Sequence, residues 1–375
     1  MRTKRGVGIL LGRLVGAGGL AAMLAVGVAS GPASVASGPQ TLAAHSSGPP
    51  GVGNSNGHAY VPLVGRATNT SDPNHVIGAG TPAGCTSAAV VSAVAEGGTI
   101  TFNCGRNPVT ITMTATAKVV NTSHQVVLDG GGKVTLSGAD KIRILYMNTC
   151  DPAQKYSTRD CWKQEWPLLV VQNLTFKDAY SAVEQTKTSS FGGGAIFDEG
   201  GQLKVVNSVF TGDQCYASGP DLGGGAIRAV GMYPASPVYI TDDTFRQDSC
   251  SNGGALSGLF AGFDVINSVL TDNKAIGWGA NPAAAGTAGG GSGGAIYTDG
   301  AQYDLSVTGT VMRGNTAREG GGGIFFVVNS GGGTLQIASS TLHDNPSGEF
   351  QNAPGIFDSV NGHEAQPVVV SSSIG

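Results

Sequence analysis

Charge is the first thing this chain is short of. Asp, Glu, Lys and Arg make up only 12% of its 375 residues, and the net charge is −4. No basic stripe is present, which excludes a nucleic-acid surface built on phosphate contacts. After the Leu14–Val28 run no second long apolar run occurs, so no transmembrane span is expected in the mature chain. The 61 glycines follow no three-residue period, which excludes collagen and leaves tight turns as their use. Tryptophan is limited to three residues, two of them close together at Trp162 and Trp166.

What is present begins with a targeting signal. Arg2, Lys4, Arg5 and Arg13 precede the apolar run, and Ala29, Ser30, Ala33 and Ala36 follow it. That order reads as a secretory signal peptide over 1–37. Residues 38–80, rich in Gly, Pro, Ser, Asn and Thr, read as a flexible linker. The folded unit is expected over 81–375, opening with a short capping helix, Ala88 to Ala95, behind Thr86 and ended by Gly97-Gly98.

From about residue 170 the chain is a repeat. Gly193-Gly194-Ala195-Ile196 returns as Gly224-Gly225-Ala226-Ile227, Gly253-Gly254-Ala255-Leu256, Gly293-Gly294-Ala295-Ile296, Gly321-Gly322-Gly323-Ile324 and a worn Pro354-Gly355-Ile356. Between these stand Phe210 with Asp213, Phe245 with Asp248, Leu270 with Asn273, Met312 with Asn315, and Leu342 with Asn345. Phe176 opens the series and Ile374 closes it. The half from glycine motif to large apolar residue varies only from 15 to 19 residues, whereas the other half runs from 10 to 25. Near-constant halves are stacked strands and variable halves are loops. The shortest repeat, Phe245 to Leu270, spans 25 residues, too few for a propeller blade of about 40 and right for one β-helix coil. The expected fold is therefore all-β, a single-stranded right-handed parallel β-helix of about eight to nine coils with a short N-terminal capping helix.

Register makes a covalent prediction. Cys215 and Cys250 each lie five residues after their Phe, in a slot that later holds Ala275, Ala317 and Ser347. Stacked coils bring such Cα atoms to about 4.8 Å, within disulfide reach. Proximity adds Cys85–Cys104 and Cys150–Cys161, one of fifteen pairings open to six cysteines. Paired cysteines behind a signal peptide imply a secreted, extracellular or cell-surface destination.

The alternation of Gly-Gly-Ala-Ile with Phe-x-x-Asn/Asp resembles the repeats of polymorphic outer-membrane proteins and related β-helix proteins of the pectate-lyase-like superfamily. The resemblance covers about 170–375 in motif and 81–375 in architecture. It implies the β-helix, and a functional range from lyases and hydrolases to adhesins. This chain departs from it where Leu, Met and Asp replace Phe and Asn, and no membrane β-barrel strands follow Ile374, so self-anchoring in an outer membrane is not expected.

A lyase resembling pectate lyases would need clustered carboxylates holding Ca²⁺, beside a base. Asp198 and Asp299 fall three coils apart, about 14 Å, too far to share an ion. Asp213 and Asp248 on adjacent coils are the candidate Ca²⁺ ligands, and the competing reading is a turn ladder of Asp and Asn satisfied by backbone N–H groups. The pair Asp242-Asp243 lacks the partner motifs of polygalacturonase-like hydrolases.

The candidate ligand-binding residues lie instead in a loop that Cys150–Cys161 would brace: Tyr156, Arg159, Trp162, Lys163 and Trp166. Aromatic faces stack on sugar rings and the cations meet acidic groups; the competing reading packs both tryptophans onto the solenoid wall. The loops Tyr180–Phe191, Tyr216–Leu222, Ile276–Ser292 and Pro346–Pro354 offer a second recognition edge. The sequence thus leads to the expectation of a secreted or surface protein that binds extracellular or cell-wall polysaccharide, or a surface protein, as an adhesin or structural element requiring no cofactor. The alternative is a Ca²⁺-dependent polysaccharide lyase acting on an acidic glycan.

Overall fold

The computed structural model describes residues 48–375 except 156–157, 182–191, 221, 235 and 280–288. The expected signal peptide over 1–37 and the candidate residue Tyr156 lie outside the described residues. The rest forms a parallel β-helix with three walls. One coil shows the plan. Ile196–Glu199 makes the first wall, then Gln202–Val206 and Val209–Thr211 make a second wall bent at Asn207, and Gln214–Cys215 makes a short third wall. A loop then leads to the next glycine motif. The pairings between successive coils are parallel; an antiparallel hairpin, Ile356–Val360 with His363–Glu364, finishes the first wall near the C-terminus.

The repeat spacing reads directly as register. Ile196 pairs through Ile227, Leu256, Ile296 and Ile324 to Ile356 on the first wall. On the second, Phe176 pairs through Phe210, Phe245, Leu270, Met312 and Leu342 to Ile374. Both columns face the interior, where the phenylalanines stack with centroids 4.8 and 4.7 Å apart. Removing each such side chain from water contributes about 1.5–3 kcal/mol. The paired glycines have separate causes. The first, at Gly193, Gly224, Gly253, Gly293 and Gly321, has φ of 63, 73, 52, 71 and 61°, a left-handed region where a Cβ is costly. The second has no room: a Cβ on Gly225 or Gly254 would overlap a carbonyl oxygen of the next coil.

All six cysteines are paired as expected, Cys85–Cys104, Cys150–Cys161 and Cys215–Cys250. The Cα atoms of the last pair are 4.7 Å apart, the spacing of stacked strands. Its slot continues through Ala275, Ala317 and Ser347.

The capping helix runs Ser87–Glu96, with Thr86 Oγ1 accepting from Ala89 N and Gly97 at φ 80° ending it. Val90, Ala93 and Val94 seal the lumen. Asp129–Gly132 form a bulge inside one strand, Gln125–Ser137. One expectation needs correcting: residues 48–80 do not form a flexible linker. They lie along the second wall: Gly53 N donates to Thr244 Oγ1 (2.9 Å), Asn54 N to Asn267 O (2.8 Å) and Asn54 Nδ2 to Gly309 O (2.8 Å). The segment then returns, with Lys204 Nζ donating to Arg66 O (2.7 Å), Thr68 N to Gln172 Oε1 (2.8 Å), and Thr70 Oγ1 to Asp129 Oδ2 (2.7 Å). It joins the sheet as His75–Ile77 beside Gly98–Phe102. Its grip is polar and extended, so it carries no apolar period.

Candidate functional site

Asp213 and Asp248 are fully buried in a ladder that climbs the third-wall turn. Ala179 N donates to Asp213 Oδ1 (2.8 Å), Asp213 N to Asp248 Oδ1 (2.8 Å), and Asp248 N to Asn273 Oδ1 (3.0 Å). The series continues through Asn315 and Asn345. The geometry is that of the backbone-satisfied turn ladder rather than an open carboxylate cluster. Burial, foremost, pushes both carboxyl groups well above the usual range. Asp243 occupies a second ladder, accepting from Ser208 N (2.7 Å) and Thr241 N (2.9 Å), and burial raises it too. Asp242 takes the left-handed turn position, φ 55°. Asp198 and Asp358 share one first-wall register, as their spacing implies, with four coils between them. Among the described residues no group of three or more His, Cys, Asp or Glu could hold a metal ion.

The aromatic loop is different, because it faces outward. It leaves the first wall after Leu145–Asn148 and joins the second at Leu168–Lys177. Besides Cys150–Cys161, Thr149 Oγ1 donates to Cys161 O (2.6 Å) and Asn148 Nδ2 to Glu199 Oε2 (2.7 Å), tying it to the next coil. The loop folds over the following turns because they are bare: Trp162 lies against Gly200 and Gly231, where a Cβ would sit 3.0 and 3.1 Å from its atoms. Its indole remains 45% exposed, with Lys163 Nζ 5.3 Å from the ring centroid and Arg159 exposed nearby in sequence. Trp166 parts from it. That ring packs 5.0 Å from His124 and is half-buried, so of the two tryptophans one stands out in water and the other packs on a neighbouring ring. The variable loops after Gln214–Cys215 and its equivalents leave the corner between the third and first walls, not the corner that carries Trp162. Trp278 is exposed on that other corner.

Beside Trp162, the corner from first to second wall opens into a groove of about 360 Å³. Three successive turns line it: Met232–Tyr233, Phe260–Gly262 and Gln302–Asp304, with Asp264 at its second-wall side. Phe260 is 48% exposed although its backbone is left-handed, φ 53°, a conformation rare for a bulky residue. Its ring lies over Gly300, where a Cβ would come within 2.9 Å of Cδ1. Tyr303 forms the floor, its hydroxyl donating to Val327 O and its ring edge-on to Phe326. Burial and the nearby Asp304 push the Asp264 carboxyl upward. Sequence reasoning missed this groove. Its one signal was Phe260, a large aromatic that belongs to neither repeat column.

Among the described residues no helix is long and apolar enough to cross a membrane. No family model, no curated protein and no solved structure matches this chain.

Proposed function

We propose that this chain is an extracytoplasmic glycan-binding protein, serving as an adhesin or structural surface element, with its ligand surface on the corner that carries Trp162. The observation that carries the reading is Trp162 itself. A large indole is held half in water by a disulfide-braced loop laid over two glycine turns, and a cation borders its face. Such a platform offers a sugar ring an apolar face without ordering cost at the moment of binding. Three disulfides support an oxidising compartment. The acids that a calcium-dependent lyase would call upon, Asp213 and Asp248, are committed to the interior ladder.

The test is retention of purified mature protein on a panel of immobilised neutral, acidic and amino-bearing polysaccharides, with Trp162→Ala alongside. Retention on at least one glycan, weakened about tenfold or more by the substitution, is the expected result for an aromatic hot spot. Equal retention of the variant would remove Trp162 from the site. A rise in ultraviolet absorbance from unsaturated uronates would instead establish a lyase.

A further inference from the structure

The groove next to Trp162 has a chemistry of its own. Its acids, Asp264 and Asp304, stand on adjacent coils, and Asp304 is near enough to add to burial in raising the Asp264 carboxyl. Asp304 Oδ1 accepts from Thr334 N (2.7 Å), and neither carboxylate belongs to any of the ion pairs among the described residues. The described lining contains no Lys, Arg or His. Two carboxylates at a concave site without a cation make the groove a poor host for uronates or sulfated sugars and a complementary one for positive charge. The apolar side of the groove is equally specific. Phe260 presents nearly half of its surface to water and Met232 and Tyr233 continue the wall. An aromatic face together with carboxylates suits a ligand that has both a sugar ring and an ammonium group.

The position matters too. Trp162 packs on Gly231, the residue before Met232, while Phe260 belongs to the next turn. Coils are spaced about 4.8 Å apart, so the two exposed rings follow one another along the corner as neighbouring platforms. Gly262 backs directly onto the Asp304 backbone, where a Cβ would not fit, and this keeps the groove floor low between them.

We infer that the Met232–Asp304 groove is a second subsite of the corner, taking a sugar that carries a free amine, as in a de-N-acetylated hexosamine polymer, with Phe260 as its platform and Asp264 and Asp304 as its counter-charges. The inference rests on the glycan-binding reading of Trp162 and deepens it by naming the ligand class.

Glucosamine oligomers, the matching N-acetylglucosamine oligomers and oligogalacturonate serve as probes, titrated calorimetrically into the mature protein. The expected result is glucosamine binding about tenfold or more tighter than either other probe, weakening as salt is raised. The double variant Asp264→Asn/Asp304→Asn should lower glucosamine affinity about tenfold or more and so erase the preference for the free amine over the N-acetylated oligomer. Phe260→Asn, which keeps a residue tolerant of left-handed backbone, should weaken both hexosamine probes. Circular dichroism and the unfolding midpoint serve as fold controls; where the double variant fails them, Asp304→Asn alone, at an exposed position, carries the test. Equal affinity for acetylated and free-amine oligomers, or a preference for oligogalacturonate, overturns the inference yet leaves Trp162-dependent glycan binding intact. Binding of no probe, together with no retention on any polysaccharide, would overturn both.

Discussion

Aspartates and aromatic rings occur twice in this solenoid, and the two sets behave oppositely. On the inside, Phe176, Phe210 and Phe245 stack ring on ring, and Asp213 and Asp248 hand their oxygens to backbone N–H groups one coil away. On the corner between first and second walls, Trp162 and Phe260 hold their rings in water, and Asp264 and Asp304 face a groove. The interior positions recur from coil to coil, filled further on by Leu270, Met312 and Leu342 and by Asn273, Asn315 and Asn345. The corner set occurs once each and breaks local rules, as with a phenylalanine in the left-handed region. Recurrence marks the residues that stacking demands, and singular exposed residues mark what stacking does not explain.

Breaking the interior should produce the largest effect. Phe210→Ala removes a ring stacked on both faces and is expected to destabilise by about 3–5 kcal/mol, read as the shift in urea midpoint at unchanged slope. A loss below about 1 kcal/mol would mean that the column does not carry the coil. Next comes opening Cys215–Cys250, which closes a loop of 35 residues. Replacing both cysteines with alanine, the residue at the same slot in the next coil, should cost about 2–4 kcal/mol by the same measurement.

The ladder acids sharpen the comparison through pH. In the neighbouring coils the ladder amide donates: Asn273 Nδ2 to Phe245 O (3.2 Å), Asn315 Nδ2 to Leu270 O (2.9 Å), Asn345 Nδ2 to Met312 O (3.0 Å). At Asp213 and Asp248 that role falls to Oδ2, a buried oxygen without a hydrogen-bond partner. An ionised carboxylate cannot donate, whereas the protonated acid can. Their folded pKa values are raised, so the stability they contribute is complete below the unfolded value and is lost as pH rises through the folded one. Asp358, pushed by burial to about 6, adds to the loss between the usual carboxylate range and that value. The unfolding midpoint should therefore fall from mildly acidic to alkaline pH. Asp248→Asn should restore about 1–3 kcal/mol at alkaline pH and nothing in acid. A variant no more stable than the parent at alkaline pH would show that Asp248 is held ionised at no cost.

How much of this was legible follows the same division. The columns through Ile196 and Phe210, the small-residue slot at Cys215 and the Cys215–Cys250 disulfide could be read because stacking converts equal spacing into contact, and Cys85–Cys104 and Cys150–Cys161 because their partners lie close along the chain. The loop bearing Trp162 was legible as composition, yet only the fold separates Trp162 from Trp166, because the bare turns at Gly200 and Gly231 decide which ring lies over them. The segment from residue 48 to 80 is not legible as packed, since its attachments run through Asn54, Thr68 and Thr70 to Gly309, Gln172 and Asp129 far along the chain, and polar long-range bonds leave no period. The groove was invisible because its residues come from three turns that only the register brings together.

The smallest expected effect is also the most diagnostic. Phe260 holds φ at 53°, which costs a non-glycine residue on the order of 1 kcal/mol, and its exposed ring recovers little by burial. Asn adopts the same backbone more readily, so Phe260→Asn should leave the stability read from the unfolding midpoint unchanged or raise it by about 0.5 kcal/mol. An interior aromatic of the same size behaves in the opposite way, as Phe210→Ala would show in the same titration. Marked destabilisation by Phe260→Asn would move that ring into the structural set. A neutral or stabilising substitution that also lowers glucosamine affinity would mean that the chain keeps a phenylalanine there against its own stability, which is the mark of a residue retained for its ligand.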